Sequence, residues 1–185
     1  MPRPSKRSKN SPAQKRIDEL NSEDIHVRVA GPEDFDGIMA LATLLNKENS
    51  VFPMNEEKVR EAVIPVLFRD GGIMGVIGTP EKIEGLVFLR IVTQWYSDGA
   101  FLEEMAVYVH PDYRSAKGGR ARKLVEFAKK VSEELKMPLM IGVLSNSQTD
   151  AKVRLYERQL GTPAGSFFLY GVKTGELVNA SEVVN

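Results

Sequence analysis

Apolar Ile25, Val27 and Val29 alternate with His26, Arg28 and Ala30, which predicts a first strand with one apolar face. Gly31-Pro32 breaks it. Phe35, Ile38, Met39, Ala42 and Leu45 then recur at helical spacing and predict a helix over residues 33–47. Asn55-Glu-Glu reads as an N-cap with two acids in the first turn, opening a second helix that ends near Arg69-Asp-Gly-Gly72. Pro65 inside that pattern predicts a kink or a break. Residues 73–78 and 82–93 are β-rich runs joined by Thr79-Pro80-Glu81, which predicts a hairpin. A fourth strand, residues 100–109, alternates and ends at His110-Pro111. Ala121, Leu124, Val125, Ala128 and Val131 make the buried stripe of a further helix, which Met137-Pro138 ends. Residues 139–144 form a short continuous apolar run, the pattern of a strand buried on both faces. Residues 145–149 cap a last helix that runs through Leu160 and stops at Gly161, and residues 166–172 read as a final strand.

The element order is therefore β-α-α-β-β-β-α-β-α-β, an α/β pattern with no internal repeat. At 185 residues, 42% of them hydrophobic, the chain is long enough for one well-packed domain and short for two. We expect a basic, disordered tail over residues 1–22, the domain over 23–173 and a C-terminal tail over 174–185. A net charge of zero hides an asymmetry. Residues 1–16 carry Arg3, Lys6, Arg7, Lys9, Lys15 and Arg16 and no acid, so the rest of the chain is net acidic. Such a tail can contact nucleic acid or an acidic surface, or serve only to solubilise.

Several function classes are excluded by composition. No apolar run can span a bilayer and no hydrophobic segment follows the basic start, so a cytoplasmic protein is expected. The absence of cysteine removes disulfides, thiolate nucleophiles and zinc-cysteine sites. With only His26 and His110 as imidazoles, no metal is expected. The chain also lacks a Walker phosphate loop, a nucleophile-elbow serine and a zinc-protease helix motif.

The most informative stretch runs from Phe101 through Arg114 and Ser115-Ala-Lys-Gly-Gly-Arg-Ala-Arg-Lys-Leu124. A strand turns into a glycine-containing loop that opens directly into an amphipathic helix. That arrangement aims backbone N–H groups and a positive helix end at an anion, most commonly a phosphate. Gly118 and Gly119 permit close backbone approach, Ser115 offers a hydroxyl, and Lys117, Arg120 and Arg122 add positive charge. Read alone, the glycine pair is equally a tight turn.

Together with Leu155-Tyr156-Glu157-Arg158-Gln159-Leu160-Gly161, the stretch resembles the acyl-CoA-binding core of the GCN5-related N-acetyltransferases (GNAT). The resemblance covers roughly residues 25–172. It implies the GNAT acyl-CoA N-acyltransferase fold, a mixed central sheet with splayed strands four and five flanked by helices, and acetyl-CoA as co-substrate. Gly119-Arg120-Ala121 matches the second half of the family's phosphate loop. The first half departs from it: Ala116 stands where Arg or Gln is usual and the loop is two residues longer, so Arg114 is expected to substitute. The resemblance further implies that the main chain of Val107 and Val109 pairs with the cofactor's pantetheine amides.

Transfer to an amine needs a base, because an alkyl ammonium with a pKa near ~10.4 is almost never nucleophilic at neutral pH. Glu103 and Glu104 are the candidates. Strict alternation puts Glu103, Met105, Val107 and Val109 on one face of strand four, and Glu104, Ala106 and Tyr108 on the other. Glu103 is favoured, since it lies where some members of the family resembled carry their base. Tyr156 is placed by the same resemblance to give the departing thiolate a proton; otherwise it is an ordinary packed aromatic. His110 is either a proton-transfer assistant or a turn residue, and Trp95-Tyr96-Ser97-Asp98 either lines an acceptor pocket or closes the core edge.

The expected function is acetyl-CoA-dependent transfer of an acetyl group directly to a primary amine of a small molecule or protein. The alternative is a non-catalytic acyl-CoA-binding or nucleic-acid-associated accessory protein of the same fold. A third reading has the tail guide the enzyme to a nucleic-acid amine. Oligomeric state is open, a homodimer being one option. The chain's general look is reminiscent of acetyltransferases from phages and mobile elements.

Overall fold

The computed structural model describes residues 25–114, 119–145 and 148–171. Five strands form one sheet in the order β1-β2-β3-β4-β5. They are β1 (Arg28–Val29), β2 (Gly72–Thr79), β3 (Lys82–Thr93), β4 (Ala100–Val109) and β5 (Leu139–Met140). The first four are antiparallel to their neighbours, and β5 runs parallel to β4. Short turns join β2, β3 and β4, whereas β5 is reached through a helical crossover, and a parallel pair requires such a connection. Gly78, at φ +103, supports the irregularity beside the β2–β3 turn, since a Cβ there would come within 2.2 Å of the Lys82 carbonyl oxygen.

Helices α1 (Phe35–Asn49) and α2 (Glu56–Leu67) cover one face of the sheet. Ile38, Leu41, Val63 and Val66 pack there against Met74, Val76, Leu86 and Phe88. Helix α3 (Gly119–Leu135) covers the other, with Leu124, Ala128 and Val131 against Ile77, Val87, Leu89 and Leu102. Helix α4 (Thr149–Leu160) lies alongside α3. The layers are those the periodicities predict, because β2 and β3 alternate between two apolar faces and so need cover on both.

Asn55 caps α2 as expected, its side chain accepting the Lys58 N–H at 3.1 Å. Pro65 does not break this helix. It lies in the last turn, and α2 runs two residues beyond it to Leu67 before the chain turns at Phe68 and Arg69.

Two strand expectations are corrected. β5 stops at Met140, and residues 141–145 are irregular and mostly half-buried, so the apolar run is neither a six-residue strand nor enclosed on both faces. Residues 166–171 form no strand, and Phe168 and Tyr170 are almost fully exposed. The two have one cause, since a final strand needs a regular neighbouring edge and β5 offers only two residues of one. What remains is a side-chain contact: Phe167 lies over Gly142, where a Cβ would come within 2.9 Å of its ring. No helix among the described residues is long and apolar enough to cross a membrane.

Candidate active site

Strand β4 carries a bulge that the alternation of its sequence does not reveal. Phe88 pairs with Ala106 but the next residue of β3, Leu89, pairs with Glu104, leaving Met105 as an extra residue. The bulge shifts the alternation, so Leu102 joins Val107 and Val109 in the α3-side core. An unbroken count would have put Leu102 on the opposite face.

Pairing between β4 and β5 ends at Glu103 and Met140. Just past this rung, the Glu104 carboxylate accepts the N–H groups of Gly142 and Val107. Burial of that carboxylate outweighs both bonds and pushes its pKa up to about 7; Lys152 pulls it down and Glu103 adds a small upward push. Tyr156, from α4, is buried in the same gap. Burial, and secondarily the Glu104 charge, pushes its phenol well above the ordinary range, so it keeps its proton at neutral pH.

Two cavities meet here. The larger, of about 530 Å³, has Val107, Val109, Arg114, Arg120, Ala121 and Tyr156 among its walls. The smaller, of about 290 Å³, has Glu104 in its wall together with Leu45, Met105, Leu144 and Phe167. Asn49, Val107, Lys152 and Tyr156 line both and so mark their junction. The structure thus brings six of the sequence-predicted residues to one cleft, and Gly119 begins α3 at its edge. Ser115, Lys117 and Gly118 lie outside the described residues. Glu103 lines neither cavity; it sits between Arg90 and Met140 in the ladder, and Glu104 is the carboxylate in the gap.

The arginines expected at phosphate are held by carboxylates. Arg114 makes a two-pronged pair with Glu48, at 2.7 and 2.6 Å, and its Nε donates to the Val109 carbonyl at 2.9 Å. The Tyr108 hydroxyl donates to the same Glu48 at 2.8 Å. These bonds, Arg114 first, hold the Glu48 carboxyl below its ordinary range against the opposing effect of burial. Arg120 donates to Glu84 at 2.8 Å and lies over the Tyr113 ring. Both arginines still line the larger cavity, but as braces of its wall.

Arg154 and Arg158 were not singled out by sequence. They lie one turn apart on α4, line the larger cavity and have no ion-pair partner among the described residues. Like charges at this spacing repel and weaken a helix. An uncompensated Arg-x-x-x-Arg beside a helix N-terminus was therefore a readable sign of an anion site.

His110 is a turn residue: its Nδ1 accepts the Asp112 N–H at 3.3 Å and its ring leans on Tyr113. Trp95 is 93% exposed and packs edge-on to Tyr96, so these aromatics neither close the core nor line either cavity. Among the described residues, no His, Asp or Glu cluster could hold a metal.

The sequence matches no protein-family model, and no curated protein matches it. Solved structures do match. An integron cassette protein from the mobile metagenome of Cole Harbour Salt Marsh superposes with a TM-score of 0.61 at 18% identity, over 80% of this chain and 89% of that one. AAC(6')-Iy, in complex with the bisubstrate analogue CoA-S-monomethyl-acetylneamine, gives 0.60 at 10% identity, over 79% and 96%. A GNAT family acetyltransferase of Staphylococcus aureus gives 0.54 at 16% identity, over 78% and 96%. The chain has the GNAT fold. The parallel β4–β5 pair that parts after two rungs is the feature of this GNAT scaffold on which the site is built. At these identities the likeness is one of fold.

Proposed function

We propose that this chain is an acetyl-CoA-dependent N-acetyltransferase that moves the acetyl group directly to a primary amine. The observation that carries the proposal is the convergence of Glu104, Tyr156 and the bulged Val107 amide where β4 and β5 part. A poised base, a retained phenolic proton and a backbone N–H are what aminolysis of a thioester needs. The neighbour solved with a CoA bisubstrate analogue supports acyl-CoA as the donor.

Each cavity suits one substrate. The larger has the N-terminal turn of α3 at one end, where unpaired amides and the positive helix end favour a diphosphate. Arg154 and Arg158 add free positive charge on the opposite wall. The arm of the cofactor then runs along Val107 and Val109, and its thioester reaches the junction at Tyr156. The acceptor enters the smaller cavity, whose apolar wall suits the body of an amine and whose Glu104 takes its proton.

We assign the base to Glu104 rather than to Glu103, which sits in the ladder away from both cavities. Glu104 exchanges one role for another as the reaction proceeds. Its carboxylate caps the Val107 N–H in the free protein, and releasing that N–H leaves a donor aimed at the thioester oxygen.

Calorimetric titration with acetyl-CoA, followed by a panel of primary amines monitored for free thiol, tests the reading. Binding with no thiol release from any amine would favour the accessory-protein alternative, and absence of binding would end both. Tyr156→Phe should lower kcat roughly 30-fold with acetyl-CoA affinity unchanged; the loss stays below a full general-acid effect because a thiolate leaves readily without help. Arg154→Ala together with Arg158→Ala should weaken acetyl-CoA binding about 10-fold, as loss of one charge-assisted contact predicts, and flatten its dependence on salt.

A further inference from the structure

The junction between the two cavities already contains an amine. Lys152 lines both, one helical turn from Tyr156, and its Nζ donates to the Oδ1 of buried Asn49 at 3.0 Å. An ordinary surface lysine extends into water; this one is half-buried and tethered inside the cleft. We propose that Lys152 is itself an acetyl acceptor, so that the protein acetylates its own Lys152 from a bound acyl-CoA thioester. The inference rests on the acetyl-CoA reading above.

Placement supplies the first argument. A transferred acetyl group must pass from the cavity holding Tyr156 and Val107 to the one holding Glu104, and Lys152 stands between them. The tether to Asn49 fixes Nζ through one N–H and leaves its remaining valences directed to the junction. Electrostatics points the same way. Glu48 and Glu104 stabilise the ammonium and Arg114 opposes it, but burial exceeds all three and lowers the pKa of Lys152, enlarging its neutral fraction. A free ammonium substrate, by contrast, meets like charge there until Lys152 is neutral or modified.

The chemistry balances with the groups present. The Lys152 ammonium gives one proton to the Glu104 carboxylate, and the neutral nitrogen adds to the thioester carbonyl carbon. The C–N bond forms and the C–S bond breaks. The second proton shed by nitrogen reaches the departing sulfur by way of the Tyr156 phenol, giving free CoA thiol and an Nζ-acetyl amide. No oxidant or reductant is involved.

The test incubates the full-length protein with acetyl-CoA and no added amine, and follows each lysine by peptide mass mapping. Lys152 should reach near-stoichiometric acetylation at a rate unchanged by diluting the protein, as an intramolecular step requires. Exposed Lys130 and Lys136 report the uncatalysed background. Tyr156→Phe should slow labelling of Lys152 at least about 10-fold and leave Lys130 unaffected, while Lys152→Arg should abolish the fast phase. Labelling of Lys152 no faster than Lys130, or at a rate that scales with protein concentration, overturns the inference if calorimetry still detects bound acetyl-CoA. If calorimetry detects none, the reading of the cleft falls and the inference with it.

Discussion

Glu104→Gln should lower kcat by about 10²–10³-fold while leaving acetyl-CoA affinity and the folding midpoint near their original values. Glutamine keeps the size of the side chain and one acceptor oxygen for the Gly142 and Val107 amides, so the gap between β4 and β5 stays filled. What is lost is the capacity to take a proton. The pH profile makes the assignment specific. Burial places the Glu104 carboxyl at about 7, so the basic form prevails above that value and is protonated below it. Activity should therefore rise with unit slope as pH increases toward about 7 and level off beyond it, and the variant should lose that limb. Glu103→Gln, which alters a carboxylate in the ladder and outside both cavities, should keep both the limb and most of the rate. If the two variants behave in the reverse manner, Glu103 is the base and the role of the bulge is wrongly drawn.

The contrast between these two glutamates shows where the sequence stops being informative. The helix stripes, the Asn55 cap and the β2–β3 hairpin are local patterns, and each is written in the residues that make it. A bulge is different. Met105 has nothing in its type that distinguishes an extra residue from a paired one, and the position is fixed by how β3 pairs across it. Counting in twos through Met105 assigned faces correctly from Ala106 onward and incorrectly before it, which is why the preference fell on Glu103. The apolar run 139–144 misled for a related reason: its composition fits a buried strand, but the strand ends where its neighbour bends away. Arg154 and Arg158 were readable in principle, as like charges one turn apart, but their partner is not part of the chain. Lys152 carries no signal at all in sequence, because its burial depends on α1 and α4 approaching the same gap.

Asp34→Ala should produce the largest loss of stability of any single change in the described residues, about 3–5 kcal/mol by chemical denaturation. Asp34 is wholly buried at the start of α1 and accepts three hydrogen bonds. Arg28 supplies two of them from β1, at 2.8 and 2.6 Å, and the Gly31 N–H supplies the third at 2.9 Å. The Arg28 Nε reaches on to the Gly78 carbonyl at 3.1 Å, so one ion pair ties the edge strand, the β2–β3 turn region and the first helix together. Burial by itself would raise the Asp34 carboxyl, yet the Arg28 bonds and the Gly31 N–H hold it below the ordinary range. With the folded value depressed, this stabilisation is complete at neutral pH and is lost only in acid, as pH falls through the folded value. Truncation leaves a half-buried guanidinium and a buried N–H without their acceptor, which is more costly than never having had the pair. A second replacement, Arg28→Met, should therefore recover a substantial part of what Asp34→Ala loses. Breaking the exposed Glu56–Arg60 pair on α2 should leave the midpoint in place, because water already screens it. Should Asp34→Ala prove as mild as that control, the pair would not be what fastens β1 to α1.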